Sequence, residues 1–147
     1  MAKAHIDPNC LFCSIASGAA PSHKIAETAK AVAFLDIHPL SRGHALVIPK
    51  VHGASLADLS AADRTAVFEL GAALSVHLQE ALEADGLTIG LNDGMAAGQE
   101  VLHVHLHLVP RWVGDGGGPI HFAMRSAKRP PKEDFGALAK RLHYEGK

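Results

Sequence analysis

The most distinctive chemistry in the sequence lies in one stretch, His103-Val104-His105-Leu106-His107-Leu108-Val109. Alternation with period two is typical of a half-buried strand. It predicts that Val104, Leu106 and Leu108 face a core while the histidines share the opposite face. At the rise of an extended strand, successive histidines would lie about 6.5 Å apart and the outer two about 13 Å apart.

This spacing limits what the three histidines can do. A single metal ion with bonds of about 2 Å cannot bind all three, although two neighbouring imidazoles could share one. Three imidazoles aligned on a rigid surface suit an extended anion such as a phosphate chain. The alternative is an ordinary amphipathic strand whose polar face happens to be histidine, and three histidines in register argue against it.

Composition places the chain among ordinary globular proteins. Its 147 residues suffice for one domain with a real core, and the hydrophobic fraction of 48% excludes wholesale disorder. A net charge of -1 gives no electrostatic basis for non-specific binding to nucleic acid or membranes. Residues 1–8 lack the apolar core of a signal peptide, and no apolar run reaches membrane-spanning length. We therefore expect a cytoplasmic protein with neither nucleic acid nor membrane as a partner.

The hydrophobic pattern predicts an α+β fold with an antiparallel sheet of about five strands, one long helix and shorter terminal helices. Ala45 to Ile48 is a near-continuous apolar run, which predicts a central strand covered on both faces. Ser60 can cap the long helix, whose apolar stripe runs to about Ala84. The other predicted elements are a helix over Cys10 to Ser17, a hairpin of strands Ile25 to Thr28 and Val32 to Asp36, a strand over Leu87 to Leu91, the histidine strand, and a helix over Glu133 to His143. Without a repeat or linker, residues 1–147 are predicted to form a single domain.

The histidine stretch resembles the signature of the histidine triad (HIT) family, in which histidine and an apolar residue alternate three times. Other segments resemble family motifs in the same order and spacing: Cys10-Leu11-Phe12-Cys13-Ser14-Ile15, Phe34-Leu35-Asp36-Ile37, Gly43-His44-Ala45-Leu46-Val47-Ile48-Pro49-Lys50-Val51-His52, Leu91-Asn92-Asp93-Gly94 and Gly98-Gln99. The resemblance covers about residues 8–112 and is less marked in the C-terminal tail and helix, residues 113–147. It implies a homodimer whose two sheets join across the interface.

The resemblance also implies an activity, that of a nucleotide hydrolase or nucleotidyl transferase. In the family the middle histidine, here His105, attacks the α-phosphorus of a nucleotide and forms a nucleotidyl-histidine that water then cleaves. A neutral imidazole is a competent nucleophile near pH 7, so the residue type agrees with this role. By the same resemblance, His107 would contact the phosphate or leaving-group oxygen, and His44 would lie near the nucleophile.

Further residues match the family's nucleotide site. Asn92 and Gln99 align with amides that touch the phosphate, and backbone N–H groups near residues 99–101, including that of Val101, could add to them. Asp36 aligns with the acid that binds the ribose hydroxyls, although it could instead be a turn-initiating Asp at a strand end. The apolar slot for a purine base would comprise Phe12, Ile15, Leu35 and Ile37, of which Phe12 and Ile15 could equally be core residues.

One position departs from the family pattern. Several members carry serine or threonine after the glutamine, where its hydroxyl can assist the leaving group, whereas this chain has Glu100. An ionised carboxylate beside a phosphate would repel the substrate, so Glu100 either points away or acts while protonated. The preferred leaving group is therefore open.

Cys10-x-x-Cys13 by itself is compatible with zinc binding, redox chemistry or accident. The chain is similar to the bacterial zinc-containing branch of histidine triad nucleotide-binding proteins, in which Cys10, Cys13, His52 and His103 would be the ligands. Two thiolates and two imidazoles would form a closed tetrahedral site, which is structural rather than catalytic. Two small buried cysteines and an exposed His52 are the alternative.

Three functions follow from these observations. The leading hypothesis is an enzyme that cleaves purine nucleoside phosphoramidates or dinucleoside polyphosphates and releases a nucleoside monophosphate such as AMP. The second is a non-catalytic purine-nucleotide-binding regulatory module in which the histidines only clamp phosphate; Glu100 is its main support. The third, a zinc hydrolase with His-x-His ligands, lacks a ligand set that leaves one coordination position open.

Overall fold

The computed structural model of the chain describes residues 5–124 and 132–145. These residues fall into two compact units, one that ends at Gly117 and one that begins at Gly118. The second unit contains a short 3₁₀ helix at Ile120–Met124 and the helix Phe135–Arg141, which Asp134 caps by accepting the N–H groups of Gly136 and Ala137. The prediction of one domain over the whole chain stays a prediction.

The first unit is built on one antiparallel sheet of five strands. The strands are β1 (Lys24–Glu27), β2 (Ala31–Leu35), β3 (Ala45–Pro49), β4 (Gly86–Gly90) and β5 (Leu106–Arg111), and their order in the sheet is β1-β2-β3-β5-β4. Every residue of β3 is buried, and this strand lies at the centre of the sheet. The α+β class and the central apolar strand are therefore confirmed.

One face of the sheet packs against the long helix, α2 (Ala61–Leu82), through Val67, Leu74 and Leu78. Ser60 caps the helix as predicted, because its hydroxyl accepts the Asp63 N–H at 3.1 Å. The helix ends at Leu82, two residues before the predicted end at Ala84. The next residue, Glu83, adopts a left-handed conformation with φ of 51°.

The opposite face carries a second apolar cluster under the short helix α1 (Leu11–Ala16). Phe12 and Cys13 pack there against the side chains that β2 and β3 turn away from α2, namely Val32, Phe34, Leu46 and Ile48. Because each face of β3 is covered by a different helix, its uninterrupted apolar sequence is explained. The histidines approach the sheet on the α1 side: Leu46 pairs with His107 across β3 and β5.

The histidine stretch differs from prediction at its start. Val104, Leu106 and Leu108 are buried as expected, but β5 begins only at Leu106, so His107 alone of the three histidines lies within the strand. The Val104 N–H donates to the carbonyl of Gly53, at 2.8 Å, instead of to β3. Pairing between β3 and β5 ends at Leu106 opposite Val47, before Pro49, which has no N–H to donate.

Candidate functional site

A cavity of about 620 Å³ opens on the α1 side of the first unit. It brings together all of the predicted catalytic and nucleotide-binding residues except Gln99: Phe12, Ile15, Leu35, Asp36, Ile37, His44, Asn92, Glu100, Val101, His105 and His107. Its size is in the range of small-molecule sites, and its walls combine apolar residues with a few polar groups.

One ring nitrogen of His105 is hydrogen-bonded to the backbone, and the other faces no bonding partner among the described residues. The side chain is 8% exposed, and its Nδ1 lies 2.7 Å from the carbonyl oxygen of His103. A carbonyl can only accept, so Nδ1 must carry the proton and the neutral ring has its lone pair on Nε2. Among the described residues, no group bonds to this Nε2. His105 therefore lines the cavity in the tautomer that a nucleophile requires.

His44 and His107 form a hydrogen-bonded pair beside His105. The Leu40 N–H donates to His44 Nδ1 at 3.0 Å, so neutral His44 carries its proton on Nε2. That Nε2 lies 2.9 Å from His107 Nδ1 and donates to it. Neutral His107 must then carry its own proton on Nε2, which makes this nitrogen a hydrogen-bond donor. The two rings thus orient one another through defined tautomers.

Burial keeps this pair neutral. It lowers the pKa of His44, although nearby Asp36 opposes that shift. Burial also lowers the pKa of His107 to about 4, with smaller contributions from His105 and His44. Near neutral pH the pair consequently supplies an N–H donor without a positive charge.

Asp36 makes the turn contact considered for it and also lines the cavity. Its Oδ1 accepts the His38 N–H at 2.8 Å, which is the local turn interaction. Its Oδ2 lies 3.7 Å from His44 Nε2, which is too far for a hydrogen bond, and its charge opposes the lowering of the His44 pKa by burial. The carboxylate also lines the cavity, so the turn places it where a ligand can reach it.

Gln99 is the predicted site residue that the structure does not bring to the cavity. Its side chain is buried, and Oε1 accepts the Gly94 N–H at 2.8 Å. Nε2 donates to the carbonyls of Ala54, at 2.7 Å, and Val101, at 3.0 Å. All three hydrogen bonds are made to backbone groups, so Gln99 stabilises the loop that carries Glu100 and Val101.

Nine lining residues were not predicted: Leu11, Ala20, Pro21, Ser22, Phe34, His38, Leu40, Leu46 and Gly98. Phe34 and Leu46 could have been found, because strand register places Phe34 opposite Leu46 and Leu46 opposite His107. The loop residues Pro21 and Ser22 carry no comparable signal in the sequence.

The second group of interest is a cluster of Cys10, Cys13, His52 and His103, whose potential ligand atoms lie within 4.8 Å of one another. His103 Nδ1 is 3.4 Å from Cys10 Sγ and 3.6 Å from Cys13 Sγ, and His52 Nδ1 is 3.5 Å from Cys13 Sγ. In a tetrahedral zinc site with Zn–S bonds of about 2.3 Å and Zn–N bonds of about 2.05 Å, sulfur and nitrogen lie about 3.6 Å apart. The cluster therefore has the dimensions of a tetrahedral metal site.

The protonation of His103 also suits a ligand. Its Nε2 lies 2.9 Å from the Pro49 carbonyl and must donate to it, which leaves the Nδ1 lone pair facing the thiols. Burial lowers the pKa of His103 to about 4, and burial raises the pKa of the Cys13 thiol. A cation between them would offset the cost of forming the Cys13 thiolate.

A His-x-His metal site is not what the structure forms. His103 belongs to the thiol cluster, whereas the Nδ1 of His105 is bonded to the His103 carbonyl. Asp36, His44 and His107 also place potential ligand atoms within 4.8 Å of one another, but the facing nitrogens of the two histidines already bond to each other.

The fold and site together define an α+β protein with a histidine-lined cavity next to a separate Cys₂His₂ cluster. The HIT domain family is matched over residues 17–113, and the chain belongs to this family. It is 42% identical to an adenosine 5′-monophosphoramidase of Saccharomyces cerevisiae over 110 residues, which are 75% of this chain and 67% of the yeast protein.

Two solved structures extend the comparison. A zinc-bound histidine triad family protein from Mycobacterium smegmatis is 41% identical, with a TM-score of 0.71 over 84% of each chain. A histidine triad nucleotide-binding protein from Candida albicans is 33% identical, with a TM-score of 0.74 over 90% of this chain and 92% of that one. In the described part of the chain, no helix has the length and apolar character needed to cross a bilayer.

Proposed function

We propose that this protein is a nucleotide hydrolase or nucleotidyl transferase that attacks the α-phosphate of a purine nucleoside phosphoramidate or dinucleoside polyphosphate. The observation that carries the proposal is the pairing of tautomers in one cavity. His105 presents a lone pair on Nε2, and His107 presents a proton on its own Nε2. A nucleophile and a hydrogen-bond donor are therefore available side by side for an electrophilic phosphorus and its oxygens.

In the first step His105 Nε2 would form a bond to the α-phosphorus while the bond to the leaving group breaks. The leaving group departs with the electron pair of that bond and takes a proton from solvent. Water would then attack the phosphorus, break its bond to His105 and release a nucleoside monophosphate such as AMP. The His103 carbonyl stabilises the positive charge that His105 carries in the intermediate, because it accepts from Nδ1–H.

Other residues would bind the substrate. Phe12, Ile15, Leu35 and Ile37 supply apolar walls for the base, and Asp36 offers a carboxylate to the ribose hydroxyls. Asn92 and the backbone around Val101 would donate to phosphate oxygens. Gln99 would act through the backbone it holds. The yeast monophosphoramidase and the Candida nucleotide-binding protein support this class of ligand.

Trapping tests the proposal directly. Wild-type protein mixed with an adenosine phosphoramidate and quenched in alkali should retain a phosphorus-bearing adduct on His105. His105→Asn should lose turnover and adduct while it still binds nucleotide. A wild type that binds nucleotide and forms no adduct would instead be the non-catalytic binding module, and hydrolysis undiminished in His105→Asn would exclude this nucleophile.

We also propose that Cys10, Cys13, His52 and His103 hold a structural zinc ion. A closed set of four ligands would join α1 to the segment that positions His105. Protein purified without added metal should contain about one zinc per chain. Cys13→Ser should lose it and unfold more easily, whereas Ser17→Ala, an exposed change at the end of the same helix, should not. Zinc missing from the wild type would refute the assignment.

The resemblance to the family further leads us to propose a cytoplasmic homodimer. Among the described strands, β1 and β4 form the edges of the sheet, where a joint between two sheets could form. Sedimentation equilibrium would distinguish a dimer from a chain of 15.4 kDa.

A further inference from the structure

The charge of the cavity is unusual for a site that would receive phosphate. Its described lining residues include two carboxylates, Asp36 and Glu100, and neither lysine nor arginine. Burial lowers the pKa values of His44 and His107, so these two histidines add no positive charge near pH 7. Phosphate recognition would therefore depend on neutral N–H donors, and the permanent charge around the substrate would be negative.

The two carboxylates are not equivalent. Asp36 accepts the His38 N–H and faces His44 Nε2 at 3.7 Å, so its charge already has local partners. The Glu100 carboxylate is exposed and forms neither a hydrogen bond nor an ion pair with any described residue. Its backbone is nevertheless held in place, since the neighbouring Gln99 amide bonds to Gly94, Ala54 and Val101.

Glu100 lines the same cavity as His105 and shortly precedes it in the chain. The apolar slot comes from α1 and the end of β2, whereas Glu100 belongs to the segment that leads directly to His105. A group that leaves the phosphorus as His105 attacks would thus experience the field of this carboxylate. An anionic leaving group would be repelled, and an ammonium group would be attracted.

We propose that Glu100 is a specificity-determining residue that selects nucleoside phosphoramidates whose leaving amine carries an additional positive charge. This inference rests on the proposed hydrolysis at His105 and narrows its substrate class. The bond from phosphorus to His105 Nε2 forms as the P–N bond breaks, and the electron pair goes to the leaving nitrogen. That nitrogen takes a proton from solvent, while the distal ammonium keeps its charge and pairs with Glu100.

The expected effect follows from Coulomb's law. For unit charges about 6 Å apart, the Coulomb energy lies between the limits for water and for a protein surface. An energy in that interval changes kcat/KM by about tenfold for each unit charge on the leaving group. A leaving group with a cation should therefore exceed a matched one with an anion by about a hundredfold in kcat/KM. High salt should compress this ratio, because the carboxylate is exposed.

Three adenosine 5′-phosphoramidates that differ only in the N-substituent provide the test: propyl, 3-aminopropyl and 2-carboxyethyl. The wild type should prefer them in the order cationic, neutral, anionic. Glu100→Gln should reduce the ratio of cationic to anionic kcat/KM by about a hundredfold. Glu80→Gln is the matched control, since Glu80 is an exposed acid on α2 that does not line the cavity, and should retain the wild-type ratio.

Equal kcat/KM values for the three substrates in the wild type would overturn the inference, as would an unchanged ratio in Glu100→Gln. Calorimetric binding of the same compounds to His105→Asn separates this outcome from failure of the proposed hydrolysis. If no compound is hydrolysed but dissociation constants follow the charge order and depend on Glu100, selection by Glu100 stands and the hydrolase proposal falls. Without a charge order in binding or turnover, the inference is wrong.

Discussion

Substitution of Gln99 tests whether this residue contacts phosphate or holds a loop in place. Gln99→Ala removes three hydrogen bonds of 2.7 to 3.0 Å from a side chain that is 6% exposed. At about 1 kcal/mol for each net bond, the free energy of unfolding should fall by about 3 kcal/mol. That is a large part of the 5–15 kcal/mol that is roughly typical of a folded domain.

Gln99→Glu provides a sharper version of the experiment. A carboxylate could still accept the Gly94 N–H, but its other oxygen would face the carbonyls of Ala54 and Val101, which only accept. The introduced carboxyl should therefore have a raised pKa in the folded protein. Its protonated form can donate to one carbonyl, so the stability lost at neutral pH should return as the pH falls through that raised pKa.

Urea unfolding measures both changes, and Asn92→Ala is the matched control. Asn92 is exposed, and among the described residues its amide makes a single 3.5 Å contact, with Gly98, so its removal should change stability by less than about 0.5 kcal/mol. If Gln99→Ala were as stable as this control but bound nucleotide far more weakly than the wild type, the loop-holding role would be refuted. Gln99 would then contact phosphate, as the family resemblance implies.

Three further predictions concern other parts of the fold. Long-range ¹H–¹⁵N spectra should show neutral His107 with its proton on Nε2 and a titration midpoint near 4, and a midpoint near 6.5 would contradict its burial beside His44. Gly71→Ala should destabilise by about 1–2 kcal/mol although alanine favours helices, since the new Cβ would lie 2.6 Å from Leu106 Cδ2. Restored stability in the double variant that combines Gly71→Ala with Leu106→Val would identify that clash as the cause. A Gly71→Ala single variant more stable than the wild type would disprove it. Phe12→Ala should lower the free energy of unfolding by about 3–5 kcal/mol, because Phe12 packs within the core. Ile37→Ala should instead weaken nucleotide binding with little loss of stability, because Ile37 is an exposed residue that lines the cavity. Urea unfolding and calorimetric binding of both variants would show whether the two effects separate.

The elements that could be predicted are those whose local pattern agrees with their final environment. The stripe of α2 and the apolar run of β3 each encode a buried surface, and both were predicted from the sequence. The boundary at Leu106 could not be predicted, because alternation continues back to His103 whereas the Val104 N–H donates to the Gly53 carbonyl. Periodicity reports which side chains are buried, and it contains no information about which backbone groups pair.

The candidate site shows the same limit for side chains. Residue types and family resemblance identified His105, His107 and His44, and the cavity contains all three. For Gln99, the residue type indicated an amide suited to phosphate, but an amide is equally suited to three backbone groups. That choice depends on contacts between Gln99 and Ala54, which are 45 residues apart in the chain.

The three triad histidines differ in which ring nitrogen carries the proton. His103 donates from Nε2 to Pro49 and turns its Nδ1 lone pair toward the thiols. His105 donates from Nδ1 to the carbonyl of His103, so its lone pair is on Nε2. His107 accepts at Nδ1 from His44 and keeps a proton on Nε2. Because a different partner determines each tautomer, equally spaced histidines present different nitrogens, which suit the zinc ligand, the nucleophile and the donor that we propose. The His103 carbonyl connects the first two, so a cation that orders His103 would also orient the lone pair of His105.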